Sequence, residues 1–356
     1  MGIASLEGIA VIRASRLLWT MLALPALASS TLPAPATDEP NDIPALVLVI
    51  GAAGEPEYAT NFVQQAAAWT RAAAQAGAPL TVIGIGGDTG IPDRDRLQAA
   101  VAAAGTESRP LWLVLIGHGT WDERDARFNL RGPDVSAAEL ASWLMPVERP
   151  VAVINTASAS APFLKALAGT NRVVITATRS GAEVNATRFG LPFAEALTDP
   201  AADLDHDGQV SLLEAFIAAS SRVAEWYATA GRLATEHALL EDSGDGLGTP
   251  ADWFRGVRAV KQAREGASTD GGWARTLVLV RSPGEQALGA EVRMQRDALE
   301  RELEALRERK ASLEPAAHAQ ALESVLLRLA RLYEEAEPAD PPPGSQAAAP
   351  AGPGTD

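Results

Sequence analysis

From residue 45 onward, short unbroken runs of Val, Ile and Leu alternate with longer Ala-rich stretches, and this alternation limits the possible folds more than any other feature of the chain. The runs are 45–51 (ALVLVIG), 80–85, 111–117 (LWLVLIG), 151–156 (VAVINT), 173–178 (VVITAT) and 275–281 (RTLVLVR). A strand with polar residues at every second position can face water on one side, whereas a strand apolar throughout must be covered on both. The segments 57–76, 94–104, 137–144, 161–168 and 212–230 carry helical patterns. Strands and helices in this order predict a mostly parallel sheet between two helical layers, a three-layer α/β/α sandwich. In such sheets chemistry gathers beyond the carboxyl ends of the strands.

The flanks differ from this core. Arg13 and Arg16 precede the apolar run 17–27 (LLWTMLALPAL), which is short for a bilayer span and contains Pro25. Ala26-Leu27-Ala28 then has the small-x-small form of a cleavage site. Residues 1–28 are therefore expected to be a signal peptide, with an uncleaved anchor as the alternative. Export would place the mature protein in a periplasmic or secreted compartment, without a membrane span. Residues 29–44 read as a Pro-rich linker, and 45–284 as the α/β domain. Within 285–335, Val292, Leu299, Leu303, Leu306 and Leu313 form one stripe, and Leu322, Leu326, Leu329 and Tyr333 a second after Pro315. A helical hairpin or coiled-coil segment is expected there, covering the domain or pairing with a second copy. Residues 336–356 have the Pro/Ala/Gly composition of a disordered tail.

Composition excludes several function classes. The net charge is −15, unsuited to nucleic-acid backbones or anionic membrane surfaces. There is no cysteine, hence no disulfide, thiolate metal site or thiol nucleophile. Imidazole chemistry is limited to His118, His206, His237 and His318.

Two of the strand ends carry reactive side chains. Gly117-His118-Gly119-Thr120 follows one run, and Asn155-Thr156-Ala157-Ser158-Ala159-Ser160 closes the next. If these strands are neighbours, His118 can act as base for Ser158, with the Gly119 and Ser158 N–H groups as oxyanion donors. The alternative is structural: Gly-His-Gly is a tight turn, and Ser158 and Ser160 cap the following helix.

This pairing resembles the caspase-like and legumain-like peptidases of the C13 type. A His-Gly strand end is there followed by a strand ending in a nucleophile loop of the form Asp/Glu-Ala-Cys-x-Ser-Gly. Residues 156–160 match that loop with Ser158 at the cysteine place and Ser160 at the loop serine, Phe163 opening the next helix. Residues 175–181 (ITATRSG) resemble the next strand and its substrate-side loop, where Arg179 either meets a carboxylate on a peptide or protein ligand or is an ordinary surface arginine. Two departures matter. Serine replaces the thiol throughout, and Thr156 stands where the family has an acid. The resemblance implies either a serine-dependent hydrolase using His118 and Ser158, or a catalytically inactive relative that binds or scaffolds.

A separate motif lies at 203–214 (DLDHDGQVSLLE). Asp203, Asp205, Asp207, Gln209, Ser211 and Glu214 occupy positions 1, 3, 5, 7, 9 and 12 of an EF-hand loop, with Gly208 at the turn. Hard oxygen donors in this order predict Ca²⁺ as the cofactor, held by Asp203, Asp205, Asp207, Gln209 and Glu214. Ser211 and Glu214 also read as a capping box. The acidic turn 241–246 (EDSGDG) offers ligands for a second ion but lacks the full spacing, and a solvated turn is the expected reading.

Overall fold

A computed structural model describes residues 42–336 apart from 88–89 and 265–266. The expected signal peptide, the linker as far as residue 41 and the tail beyond residue 336 lie outside the described residues. The chain runs β1 (Ala45–Ile50), α1 (Pro56–Ala76), β2 (Leu80–Ile83), α2 (Asp93–Ala104) and β3 (Leu111–Ile116). Three short strands follow, β4 (Gly119–Trp121), β5 (Ala126–Phe128) and β6 (Val135–Ser136), then α3 (Ala137–Leu144). The second half of the sandwich is β7 (Val151–Asn155), α4 (Ala161–Leu167), β8 (Arg172–Thr176), α5 (Gly190–Ala196), α6 (Leu212–Thr229), β9 (Leu239–Glu241) and β10 (Thr249–Pro250). Three further helices complete it: α7 (Pro283–Ala287), α8 (Ala290–Glu308) and α9 (Pro315–Ala336).

The main sheet has the order β10-β9-β8-β7-β3-β1-β2. Strands β2, β1, β3, β7 and β8 are parallel, while β9 and β10 add antiparallel at one edge. Because side chains alternate across a strand, each apolar run serves two cores. Leu46, Leu48, Val114 and Ile116 pack with Phe62 and Trp69 of α1, Phe193 of α5 and Phe216 of α6. Val47, Val49, Leu113 and Leu115 pack with Leu97 of α2, Leu140 of α3 and Phe163 of α4. This is the three-layer α/β/α sandwich that the run pattern implies.

Register aligns the strand ends. Ile50 lies opposite Ile116, Leu115 opposite Asn155, and Asn155 opposite Thr176. The segments after β1, β3, β7 and β8 therefore emerge at one rim. Polar turns and caps close the helices nearby. Ser136 with Glu139, and Ser211 with Glu214, form reciprocal capping boxes at the starts of α3 and α6.

One expected strand does not form. Residues 274–276 make a single tight helical turn, and Val278 contributes only an isolated bridge to Ser211. The apolar Leu279 is buried against the α1, α5 and α6 face instead of in the sheet. Beyond it, α8 and α9 pack together through Leu299, Leu303 and Val325. Asp42, at the entry to β1, accepts from Arg293 and Arg281 at 2.9 Å each, tying α8 to the sandwich. Burial opposes the charge on Asp42, but these guanidiniums outweigh it and hold its carboxyl below the usual range. Among the described residues, no helix is long and apolar enough to cross a membrane.

Phe216 is fully buried and packs edge-on against Phe189 and Phe254. Phe216→Ala is expected to lower the unfolding free energy by about 3–5 kcal/mol, read from chemical denaturation.

Candidate active site and acidic loops

His118 and Ser158 sit on adjacent loops of the common rim, one just past β3 and the other just past β7. Their side chains are committed to different partners. Ser158 is 2% exposed. Its Oγ accepts from the Gly119 N–H at 3.1 Å and lies 3.3 Å from the Gly119 carbonyl, to which its hydroxyl donates. The approach is tight enough to require glycine, since a Cβ at residue 119 would stand 2.3 Å from the Ser158 carbonyl oxygen. The next residue, Ala159, has φ of 51° and donates its N–H to the Glu183 carbonyl at 2.8 Å.

The His118 ring lies edge-on to Tyr58 and Phe62, with centroids at 4.7 and 5.2 Å. Burial lowers its pKa below 6.5, and a hydrogen bond with the Ala53 backbone opposes that shift only in part. Burial thus favours the neutral imidazole, the form a base needs. Among the described residues, however, no hydrogen bond joins it to Ser158. The Gly119 N–H, expected to face an oxyanion, is spent on the Ser158 hydroxyl. Asn155 does not orient the imidazole either, because its Oδ1 accepts from the Ala157 N–H.

The two expected ligand-binding residues differ in kind. Ser160 is buried and exchanges hydrogen bonds with Thr178, stitching the β7 loop to the end of β8. Arg179 has a side chain 60% exposed at the rim, 3.4 Å from Glu183. Glu183 was not evident in the sequence, yet it connects three segments. Its carboxylate accepts from the Arg179 N–H at 2.9 Å, the His237 N–H at 3.2 Å and His237 Nδ1 at 2.6 Å. Glu183 and His237 are 54 positions apart, a separation that no local pattern reveals. His237 also lines a cavity of about 460 Å³ with Ala177, Phe189, Ile217, Val223 and Glu236.

In the 203–214 loop, carboxylate oxygens of Asp203, Asp205 and Glu214 lie within 4.8 Å of one another. Asp203 accepts the Asp207 and Gly208 N–H groups, and Glu214 accepts those of Leu204, Asp205 and Ser211. Asp207 accepts the Gln209 N–H, and the Gln209 side-chain oxygen accepts from the Ser282 N–H. Burial, then the neighbouring charges of Glu214, Asp207 and Asp203, pushes Asp205 up to about 6. Asp207 is raised too, chiefly by burial. Hard oxygens crowded against one another are the donor set that a calcium ion satisfies, so the residues fit the ion.

The 241–246 turn departs from the solvated expectation. Glu241 is fully buried, and Asp270 is 4% exposed beside it. Asp270 accepts the Asp242 and Ser243 N–H groups and the Thr249 hydroxyl, while Asp242 accepts the N–H groups of Gly271, Trp273 and Ala274. Burial, reinforced by the Asp242 charge, pushes Asp270 up to about 7.

No protein-family model and no curated protein sequence matches the chain. Among solved structures it is similar to the Drosophila initiator caspase Dronc, at 12% identity and a TM-score of 0.38, over 66% of this chain and 92% of the caspase chain.

Two measurements check the rim. Gly119→Ala is expected to cost roughly 1–3 kcal/mol of stability, because backbone must move to admit the methyl. His118 is expected to titrate below 6.5 by NMR. Its folded pKa lies below the unfolded value, so the unfolded chain binds the proton first. The contribution of His118 to stability therefore falls as pH drops through 6.5 towards the folded pKa.

Proposed function

We propose that the chain is an exported, calcium-stabilised relative of the caspase-like and legumain-like peptidases that binds a peptide or protein at its rim without cleaving it. The observation that carries this reading is the state of Ser158. A serine nucleophile must be reachable by a carbonyl carbon and must hand its proton to a base. Here the hydroxyl is buried, donates to one backbone atom of Gly119 and accepts from another. The lowered pKa of His118 favours a base for a serine hydrolase, but its ring is hydrogen-bonded to the Ala53 backbone instead.

Binding is supported by the exposed Arg179, a cation at the rim suited to a carboxylate on the ligand. Calcium is supported by the convergent oxygens of Asp203, Asp205 and Glu214. With bound ion, Asp203, Asp205, Asp207, Gln209 and Glu214 would neutralise their mutual repulsion and fix the entry to α6. Export rests on the residue pattern of 1–28. Self-association through 285–335 is supported by exposed Leu326 and Leu327 on α9.

A serine-directed fluorophosphonate is expected to leave the folded wild type unlabelled. Labelling that disappears in Ser158→Ala would overturn the non-catalytic reading. Chelation is expected to lower the melting temperature, and Glu214→Gln to remove most of that shift. Calcium at a hundred times its Kd would supply about 2.7 kcal/mol. A wild type indifferent to chelator would remove calcium from the proposal.

A further inference from the structure

The loop after β9 holds a buried carboxyl group that its protein neighbours leave half satisfied. Glu241 lies opposite Val174 of β8, on the sheet face covered by α2, α3 and α4, and is 0% exposed. Its Oε1 accepts from the Gly244 N–H at 2.6 Å, the Gly246 N–H at 3.4 Å and the Ser243 hydroxyl at 3.3 Å. The carboxylate is therefore directed into the loop that follows it. Its Oε2 is equally buried and has no hydrogen-bond partner. A buried carboxylate oxygen without a donor is costly, and native structures rarely leave one so.

Neighbouring groups do not supply the missing positive charge. Asp242, Asp245 and Asp270 are all acidic, and Asp242 and Asp270 are engaged with backbone donors of the facing segment. Lys165 passes nearby, with its Cγ 3.6 Å from where a Cβ at Gly246 would stand. Among the described residues it makes no ion pair with Glu241. Gly244 and Gly246 have φ of 85° and 74°, which lets the loop curl over the carboxylate. Asp245 is exposed on that curl, with one oxygen on the Leu247 N–H at 2.7 Å.

We propose that the 241–246 loop is a second divalent-cation site of calcium type, anchored on Glu241 Oε2 and completed by Asp245, loop carbonyls and water. The donors are hard oxygens, and the nearby His237 is committed to Glu183. Three carboxylates do not converge here as they do in 203–214. The site is therefore water-rich and weak, in the millimolar range typical of extracellular calcium modules. It does not depend on the ion assigned to 203–214.

Calorimetric titration of chelator-stripped full-length protein with calcium alone distinguishes the two sites. The expected result is two ions per chain, one after Glu214→Gln, one after Glu241→Gln and none in the double variant. A wild type that binds one ion, lost in Glu214→Gln, overturns the proposal, as does a stoichiometry unchanged by Glu241→Gln. Loss of an ion in Glu241→Gln but not in Glu214→Gln would instead sink the 203–214 assignment and leave this one standing. Should Glu241→Gln fail to fold, Asp245→Asn decides at an exposed position. It is expected to weaken the second site at least tenfold, and unchanged binding overturns the proposal.

Discussion

The main-chain contact between Gly119 and Ser158 governs what the rim of this sheet can do. Parallel pairing of β3 and β7 places the two strand ends side by side, and the missing side chain at 119 lets the loops close to van der Waals distance. At that range the Ser158 hydroxyl finds both an N–H and a carbonyl on the same residue. Two modest hydrogen bonds in a part-buried setting hold the hydroxyl on Gly119, because breaking them would leave those backbone groups to find other partners. The Ser158 loop is further held by the Ala159–Glu183 bond and by the exchange between Ser160 and Thr178. The rim is consequently a stitched surface, and its exposed chemistry shifts outward to Arg179 and His237.

Negative charge is the second constraint. The chain carries −15, yet several of its carboxylates are buried in loops and not spread over the surface. Most are stabilised by backbone N–H groups: Asp242 and Asp270 cross-brace two segments, and Glu214 caps α6 while holding the loop before it. Backbone amides bring no net charge, so they solvate a carboxylate without neutralising it. Where carboxylates crowd, as around Asp205, the repulsion persists. Asp42 shows the other solution, two arginines drawn from the C-terminal part of the chain. The sandwich thus uses arginine to attach its helical hairpin and backbone amides to hold its acidic loops.

The central strands were legible in the sequence because complete burial on both faces demands unbroken apolar runs. Five helices flanking them were legible for the complementary reason, a stripe repeated every three to four residues. Strands β4, β5 and β6 were not, since two or three residues carry no period. The run at 275–281 misled because apolar content reports burial and not pairing; Leu279 is buried without joining the sheet. At the rim, His118 and Ser158 could be placed on neighbouring loops from sequence, but their hydrogen-bond partners could not. Those depend on how closely two backbones approach, and the Glu183–His237 pair depends on a tertiary contact alone. The 241–246 turn looked solvated because its residues are polar, whereas its position after an inner edge strand takes Glu241 under a loop.

Residue type at position 158 is consistent with this division of labour. A hydroxyl both donates and accepts well, which is what a bridge to the N–H and carbonyl of Gly119 requires. A thiol is a weak donor and a weak acceptor, so it would hold the same loop less firmly while being the better nucleophile. Serine gives up intrinsic reactivity and gains two directed contacts. At a rim where the neighbouring imidazole already serves the loop after β1, that exchange favours a fixed loop over an attacking group.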